Sequence, residues 1–406
     1  MINPSPVRAV SRRRLLVAFR IALTSATVFA AEPASEKKPT KELELVQYVQ
    51  HDDLSNICDI DVNSYGKHLY TAAFNPGAVA QYSIDPESRK LTFVGSIRDR
   101  QLHGTVDVKI FPDGTQAVAA SCFSASVTLF HRNPETGKLT ITDTLTSGER
   151  DTLGLRWPSD VAVSPDSRFV YVSDSRAPGR AINPDKNKGA ITILRPSEGK
   201  LHFVEANIGE NDCFGGSRCV LCHPDGRLLF TMNHKANTLV VCERDTETGR
   251  IRIQQVFRHG VDGVKCLEGA MICALSPDHR FLYTNAGNFE LAGGVGVFEI
   301  DSEGKLTLVQ QYVDGTDGFV NFKGGNKIVV GPYGDRVYAT ATGSGSLAIF
   351  SRDLNTGRLK HLETMVTGKN GVNLRGANGM AFDKAGEFLY VACEHDKGIA
   401  VMKIGR

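Results

Sequence analysis

The stretch Pro224-Asp225-Gly226-Arg227-Leu228-Leu229-Phe230-Thr231 joins a tight turn to a short apolar strand, and this combination recurs along the chain. Pro and Asp favour the start of such a turn, and Gly supplies its positive φ. The interval is about 50 residues, a period typical of propellers and other repeat architectures. The related turns are Ser64-Tyr65-Gly66, Pro112-Asp113-Gly114, Pro165-Asp166-Ser167, Pro277-Asp278-His279, Pro332-Tyr333-Gly334 and Lys384-Ala385-Gly386.

The sequence around each turn repeats as well and predicts four short strands in every unit. An alternating strand such as Val161-Ala162-Val163 precedes the turn, and an apolar strand such as Phe169-Val170-Tyr171-Val172 follows it. A third strand leads to a polar hairpin such as Asp245-Thr246-Glu247-Thr248-Gly249-Arg250-Ile251, and a fourth strand ends the unit. Four antiparallel strands repeated around a ring predict an all-β, seven-bladed β-propeller over residues 43–406.

The two ends of the repeat region complement each other. The last unit stops after its third strand, Gly398-Ile399-Ala400-Val401-Met402-Lys403, and an orphan strand opens the region at Leu43-Glu44-Leu45-Val46-Gln47-Tyr48-Val49. Closing the ring removes an exposed sheet edge. We therefore expect the N-terminal strand to complete the last blade.

The first 31 residues have the composition of an export signal. Arg12-Arg13-Arg14 precede a short, mostly apolar stretch, Leu15 to Val28, and small residues follow. This order is typical of a signal peptide, either of the ordinary secretory type or of the twin-arginine type. Residues 32–42 are rich in charged side chains, and this composition predicts a linker. We expect an exported protein, periplasmic or extracellular, whose mature chain has no stable membrane span.

The composition excludes several function classes. The net charge is only +2, and the basic residues are dispersed without an aromatic-basic stripe, so nucleic acid is not an expected partner. No serine-hydrolase elbow, Walker loop or dinucleotide fingerprint occurs in a supporting context. The nine cysteines are odd in number and their spacing dictates no disulfide pairing.

The repeat of the form Ser-Pro-Asp-Gly-Arg-Phe-Val-Tyr-Val, closed by Thr-Gly-Lys-Leu, resembles the lactonase family of seven-bladed propellers. That family includes bacterial 6-phosphogluconolactonase and the fungal carboxy-muconate cyclising enzyme. The resemblance covers residues 43–406 and implies a lactone hydrolase or a cycloisomerase acting on a small carboxylated or phosphorylated lactone in the central funnel. An enzyme of this type is expected to require no cofactor.

The family's Gly-Pro-Arg-His segment, His-Pro turn and Asn-Glu pair can be located in this chain. Three positions match, namely Arg218, His223 and Asn233, whereas Cys219 replaces the family histidine and His234 replaces the family glutamate. The resemblance implies catalytic roles for Arg218 and His223 and a substrate-binding role for Asn233. His234 is a candidate general base by the chemistry of its imidazole alone, which gives the predicted catalytic set Arg218, His223 and His234. Arg218 would hold a carboxylate or phosphate and stabilise oxyanion charge. Asp107 and Asp160 stand at further family histidine positions and, with His103, complete the predicted substrate-binding set.

Three consecutive blades carry an acid at the same place in the first strand, namely Asp59, Asp107 and Asp160. Strict alternation places Asp107 on the channel side of its strand and Val106 on the other. Converging carboxylates raise one another's pKa or bind a divalent cation such as Ca²⁺, which makes the three acids a predicted metal site. The alternative is structural, with each acid accepting a hydrogen bond from a backbone amide of the neighbouring blade.

Cys219-Val220-Leu221-Cys222-His223 satisfies the sequence rule for c-type haem attachment. The motif lies inside a repeat strand, however, which favours a structural role over haem.

Two functions remain open from the sequence. The first is the lactonase or carboxymuconate-cyclase type of enzyme described above, acting on a small anionic molecule. The second is a noncatalytic cell-envelope propeller that binds a ligand or an envelope protein, because propellers host many unrelated functions. Convergence of Arg218, Asp107 and Asp160 on one concave polar pocket would favour the enzyme.

Overall fold

The computed structural model describes residues 42–63, 65–176, 188–209, 212–287, 291–368 and 373–405, and these residues form 28 strands in seven four-stranded antiparallel sheets. The sheets are the predicted blades, which confirms the seven-bladed β-propeller. The predicted signal peptide lies outside the described residues, as does the linker except for Glu42. Within the described part of the chain, no helix is long and apolar enough to cross a membrane.

The strands are numbered β1 to β28 in chain order, and each blade begins with its innermost strand. Blades 1 to 3 consist of β2–β5 (Ile57–Val62, His68–Ala73, Ala78–Ile84, Leu91–Arg98), β6–β9 (Thr105–Ile110, Gln116–Ser121, Ser126–Arg132, Leu139–Thr146) and β10–β13 (Pro158–Val163, Val170–Asp174, Ala190–Ser197, Lys200–Ile208). Blades 4 and 5 consist of β14–β17 (Ser217–Cys222, Leu228–Asn233, Thr238–Arg244, Ile251–Arg258) and β18–β21 (Ala270–Leu275, Phe281–Ala286, Gly294–Ile300, Leu306–Val313). Blade 6 consists of β22–β25 (Gly325–Val330, Arg336–Ala341, Ser346–Arg352, Leu359–Val366), and blade 7 of β26–β28 (Ala377–Phe382, Phe388–Cys393, Gly398–Ile404) with β1 (Leu43–Gln50).

The ring closes as the sequence predicts. Strand β1 pairs antiparallel with β28, from Leu43 opposite Ile404 to Gln50 opposite Gly398. The first and last strands of the described chain therefore share one sheet, and β1 pairs with the edge of β28 that would otherwise be exposed.

The apolar core is divided among the boundaries between neighbouring blades. At the boundary of blades 3 and 4, for example, Phe169 and Tyr171 pack with Leu229 and Val240. The hairpin Gly249 faces Phe169 so closely that a Cβ on it would lie 2.3 Å from the ring, and its φ is 75°. Glycine in the repeated Thr-Gly hairpin thus serves both the turn and the contact between blades.

A Tyr–Arg pair also ties these boundaries together. The Tyr171 hydroxyl donates to the carbonyl of Gly249 at 2.7 Å and accepts a hydrogen bond from Arg244 Nε at 2.6 Å. The same pair recurs as Tyr70 with Arg132 and as Tyr283 with Arg352. We call each of these Tyr–Arg pairs a blade pin.

The inner strands share one irregularity that decides which side chains face the channel. In β6, Thr105 pairs with Ser121 and Asp107 with Ala120, so Val106 is an extra residue in a β-bulge. Equivalent bulges occur in the other inner strands, at Cys58, Ser159, Arg218, Met271, Asn326 and Asn378. A bulge re-aims side chains and breaks the strict alternation that the sequence analysis assumed.

Candidate active site

The bulged residues line a cavity of about 150 Å³ in the central channel. We define the upper rim of the propeller as the end where the inner strands begin, and the lower rim as the end that carries the Pro-Asp-Gly turns. Because of the bulge, Val106 and Asp107 both line the cavity, and the prediction that they lie on opposite faces was wrong. The complete lining is Cys58, Asp59, Val106, Asp107, Ser159, Asp160, Arg218, Met271, Ile272, Asn326, Lys327 and Asn378.

Lysine ammonium groups accompany the carboxylates of this cavity. Lys109 Nζ lies 2.5 Å from Asp59 Oδ2 and 2.7 Å from Asp107 Oδ1, and Lys327 Nζ lies 2.6 Å from Asp59 Oδ1. In the described part of the chain, no group of three His, Cys, Asp or Glu side chains has the geometry to hold a metal ion. The lysines supply the counter-charge at Asp59 and Asp107, and the predicted cation site at Asp59, Asp107 and Asp160 stays a prediction.

Two of the three acids also bind the next blade, as the structural alternative predicted. Asp107 Oδ2 accepts a hydrogen bond from the amide of Val161, and Asp160 Oδ2 accepts one from the amide of Val220, both at 2.8 Å. In blade 1 the equivalent acceptor is Asp61, whose Oδ2 accepts a hydrogen bond from the amide of Ile110 at 2.8 Å. These bonds fix the spacing of neighbouring inner strands around the channel.

Asp160 is the least compensated of the three acids. Burial, followed by the proximity of Cys219, raises the pKa of its carboxyl to about 7. Burial also raises the pKa of Asp59 and of Asp107, but Lys109 opposes that effect at both residues. Asp160 can therefore exchange a proton near neutral pH.

Arg218 lies in the cavity wall without a protein partner among the described residues, since its guanidinium makes neither a hydrogen bond nor an ion pair there. Burial lowers its pKa, and the neighbouring Arg176 adds to that effect, but a guanidinium remains charged in proteins. Lys235 belongs to the same group, because the charges of Arg176 and Arg218 lower its pKa after burial does. The upper rim above the cavity thus carries three neighbouring cations.

A second cavity of about 210 Å³ opens beside Arg218. His234 lines it together with Met271, Asn326, Thr342 and the backbone of Gly287, Gly324 and Gly325. The Nδ1 atom of His234 is buried and has no hydrogen-bond partner within the described segments. Burial and then the charge of Arg218 lower the pKa of His234, so its imidazole is neutral at neutral pH.

The structure brings together only part of the predicted set. Arg218, Asp107 and Asp160 converge on one cavity, and His234 shares the second cavity with Arg218. His103 lies on the upper rim, with its ring 5.0 Å from that of Phe123.

His223 and Asn233 are not among the residues that line either cavity, and their predicted roles stay predictions. His223 follows the lower end of β14, about 16 Å from Arg218 at 3.3 Å per residue. Its Nδ1 lies 2.8 Å from Asp225 Oδ1, within the turn of its own blade. Asn233 is fully buried and donates to Thr231 Oγ1 at 3.0 Å. Both side chains therefore have structural surroundings, although they match the family pattern.

The cysteines of the haem-like motif point to different blade boundaries. Cys219 packs into the cluster between blades 4 and 5, with its sulfur 3.7 Å from that of Cys273, and Cys222 packs against the cluster between blades 3 and 4. Haem attachment at Cys219, Cys222 and His223 needs both thiols beside one macrocycle, and this geometry argues against it.

Sequence reasoning missed the second cavity and the cations Arg176 and Lys235. These groups come from loops of different blades, and no local motif marks them. One signal was available, because the residue at the bulge position of the inner strand is polar in four of the seven blades, namely Ser159, Arg218, Asn326 and Asn378.

Comparison with known proteins identifies the family to which this chain is similar. The family model described as Lactonase, 7-bladed beta-propeller matches residues 24–153, 142–267 and 270–406. A protein of Lactococcus lactis subsp. cremoris is 26% identical over 79% of this chain and 88% of its own length. The 6-phosphogluconolactonase of Bacillus subtilis is 25% identical over 46% of this chain and 50% of its own length.

Solved structures show the same fold at lower identity. The periplasmic gluconolactonase of Pseudomonas aeruginosa is 18% identical, with a TM-score of 0.61 over 77% of this chain and 85% of that chain. Family model, relatives and blade architecture agree. This chain belongs to the lactonase family of seven-bladed β-propellers.

Proposed function

We propose that this protein is an exported lactonase that hydrolyses a small lactone bearing a carboxylate or phosphate. The observation that carries the proposal is the Arg218 guanidinium, which has no partner among the described residues and borders both cavities. A charged group with no protein partner at a cavity junction is available to an anionic ligand, and a planar guanidinium can bind carboxylate or phosphate with two hydrogen bonds.

The charges around Arg218 determine where such an anion binds. Arg176 and Lys235 lie near it on the upper rim, whereas Asp59, Asp107 and Asp160 lie deeper in the channel. The cations of the rim attract the anion, whereas the deeper ammonium groups of Lys109 and Lys327 are already paired with Asp59 and Asp107. The ligand is therefore held at the rim beside the second cavity.

His234 is the general base in this proposal. Its neutral imidazole removes a proton from a water molecule as the water oxygen attacks the lactone carbonyl carbon. The carbonyl oxygen gains negative charge, which Arg218 stabilises. The carbon–oxygen bond of the ring then breaks, the imidazolium of His234 returns the proton to the leaving alkoxide, and a hydroxy acid is released.

The export part of the proposal depends on the arginine-led apolar segment of residues 1–31. Cell fractionation followed by N-terminal sequencing of the mature protein tests it. We expect cleavage near residue 31 and recovery outside the cytoplasm, and an uncleaved cytoplasmic protein would contradict export.

Turnover of a lactone panel tests the catalytic part. Purified protein is assayed with sugar lactones, phosphosugar lactones and carboxylated muconolactones, alongside Arg218→Ala and His234→Gln. The matched controls are Arg227→Ala, which removes an exposed arginine of the same blade's lower-rim turn, and His223→Gln. We expect both site variants to lose at least about 100-fold in kcat/KM and both controls to retain activity.

Equal loss in His223→Gln and His234→Gln would contradict the assignment of the base. Absence of turnover in folded protein, with every class of lactone, would overturn the lactonase proposal and favour the noncatalytic binding function.

A further inference from the structure

Aromatic side chains of blades 1 to 3 form a continuous row on the upper rim. The ring centroids of Phe74 and Phe123 are 4.7 Å apart, and those of Phe123 and Trp157 are 5.2 Å apart, with the latter pair edge to face. We call Phe74, Phe123 and Trp157 the aromatic shelf. The Phe123 side chain is the most accessible of the three, at 45% exposure.

The shelf adjoins the channel cavity. Trp157 lies two residues before Ser159, which lines the cavity. Phe123 directly follows Cys122, where burial raises the thiol pKa to about 11 and the nearby charge of Arg218 partly opposes that rise. Arg218, which borders both cavities, is therefore close in space to the residues that carry the shelf.

Charge connects the shelf to the anion site. The guanidinium carbon of Arg176 lies 3.9 Å from the Trp157 ring centroid, and Arg176 is also among the charges that lower the pKa of Arg218. One cation thus contacts the shelf and belongs to the rim group that attracts an anion.

Two hydroxyl groups next to the shelf are already engaged. Ser124 Oγ donates to the carbonyl of Gln101 at 2.7 Å, and Ser126 Oγ donates to the same carbonyl at 2.6 Å. The three shelf side chains themselves offer mainly apolar faces and ring edges, and the ring of His103 lies 5.0 Å from that of Phe123 beside them. Such a surface favours an aryl ring over a polyhydroxylated sugar ring.

We propose that the aromatic shelf is a subsite for an aryl group carried by the anionic substrate. The inference rests on the proposed function, because it takes Arg218 as the group that binds the anion. It narrows the substrate class to anionic lactones with an aromatic substituent, with the anion on Arg218 and the ring on Phe123 and Trp157.

The sequence contains a single tryptophan, Trp157, so intrinsic tryptophan fluorescence reports directly on the shelf. Purified protein is titrated with 3-phenylpropionate, 3-cyclohexylpropionate and propionate, following fluorescence and, independently, heat. We expect 3-phenylpropionate to bind about 5-fold more tightly than the cyclohexyl analogue and to change the fluorescence. We expect Phe123→Ala to remove this preference without changing propionate affinity.

Tyr333→Ala is the matched control, because Tyr333 is an aromatic residue of the lower rim and is 56% exposed. It should leave all affinities unchanged. Equal affinity of the phenyl and cyclohexyl acids for the unaltered protein, or an undiminished preference in Phe123→Ala, would overturn the shelf proposal.

The Arg218→Ala variant separates this proposal from the proposed function. If that variant binds propionate as well as the unaltered protein does, the anion site and with it the shelf's role in substrate binding are overturned. If propionate binding depends on Arg218 but 3-phenylpropionate and 3-cyclohexylpropionate bind with equal affinity, only the shelf proposal fails.

Discussion

Two arginines of blade 4 have opposite surroundings. Arg244, at the end of β16, donates to the Tyr171 hydroxyl at 2.6 Å and to the Gly226 carbonyl at 2.8 Å, and its side chain is 1% exposed. Arg218, near the start of β14, makes no such bond among the described residues. The first guanidinium is thus paired within the protein, and the second is the one to which we propose that a ligand binds.

The difference separates structural from functional arginines more clearly than burial does. Arg132 and Arg352 repeat the contacts of Arg244 in other blade pins, as the repeat architecture leads one to expect. The inner-strand positions equivalent to Arg218 hold different residue types, such as Cys58, Val106 and Met271. A side chain that has no counterpart in the repeat and no protein partner is the one to which we assign chemistry.

The largest expected effect comes from Arg218→Ala, which should separate activity from stability. Loss of an oxyanion or anion donor costs about 100- to 1,000-fold in kcat. The free energy of unfolding should change by less than about 0.5 kcal/mol or rise slightly, because no protein hydrogen bond is lost. Paired turnover assays and urea titrations measure both. A large loss of stability would show that Arg218 is structural.

The reverse result is expected for Arg244→Ala. Its removal leaves the Gly226 carbonyl without its donor and the Tyr171 hydroxyl without one of its partners, which should lower the free energy of unfolding by about 2–4 kcal/mol. The same urea titration measures this change, with Arg227→Ala as the control. Folded Arg244→Ala should keep its kcat, and a selective loss of kcat without loss of stability would break the comparison.

Asp160 tests an intermediate case, a buried carboxyl that accepts a hydrogen bond from the Val220 amide and whose burial outweighs the opposing charges of Lys109 and Lys327. Its pKa is raised to about 7, so its contribution to stability is complete below about pH 4 and is lost as pH rises through 7. Asp160→Asn removes this loss. We therefore expect the free energy of unfolding of the variant to exceed that of the parent by about 1–3 kcal/mol at pH 8 but not at pH 4. Urea unfolding at both pH values measures the difference. Asp113→Asn, in an exposed turn, is the control and should show no such difference between the two pH values.

The smallest effect concerns the blade pin between blades 1 and 2. His68 Nδ1 contacts Arg132 Nη2 at 2.9 Å, where the other pins have Asp166 and Asp278. Burial, and then the charge of Arg132, lowers the pKa of His68 to about 4. The unfolded chain therefore binds a proton before the folded protein does, and stability falls as pH drops from about 6.5 through 4.

We expect His68→Gln to reduce the loss of unfolding free energy between pH 7 and pH 4.5 by about 1–2 kcal/mol, because glutamine accepts the bond without titrating. His131→Gln, on the exposed face of β8, is the control. An unchanged pH dependence would mean that His68 is protonated in the folded state, contrary to its surroundings.

The repeat allowed the sequence to predict the blades and the closure of the ring, but not the cavity lining. Turn residues and alternating strands act locally, so each unit can be recognised by itself. The β-bulge inserts one residue whose type varies between blades, from polar residues to Cys58, Val106 and Met271, and in blade 2 it moved Val106 to the channel side. His223 shows the converse case, because it matches the family pattern but lies on the lower rim, beside Asp225.

The sequence by itself determined the seven-bladed ring and its closure by Leu43–Gln50, and through the family resemblance it made Arg218 a candidate site residue. Only the tertiary structure decided that Arg218 has no protein partner among the described residues and shares a cavity with His234. The physical reason is distance along the chain. Strands and turns follow from neighbouring residues, whereas a cavity at the ring axis is assembled from blades that meet only after closure.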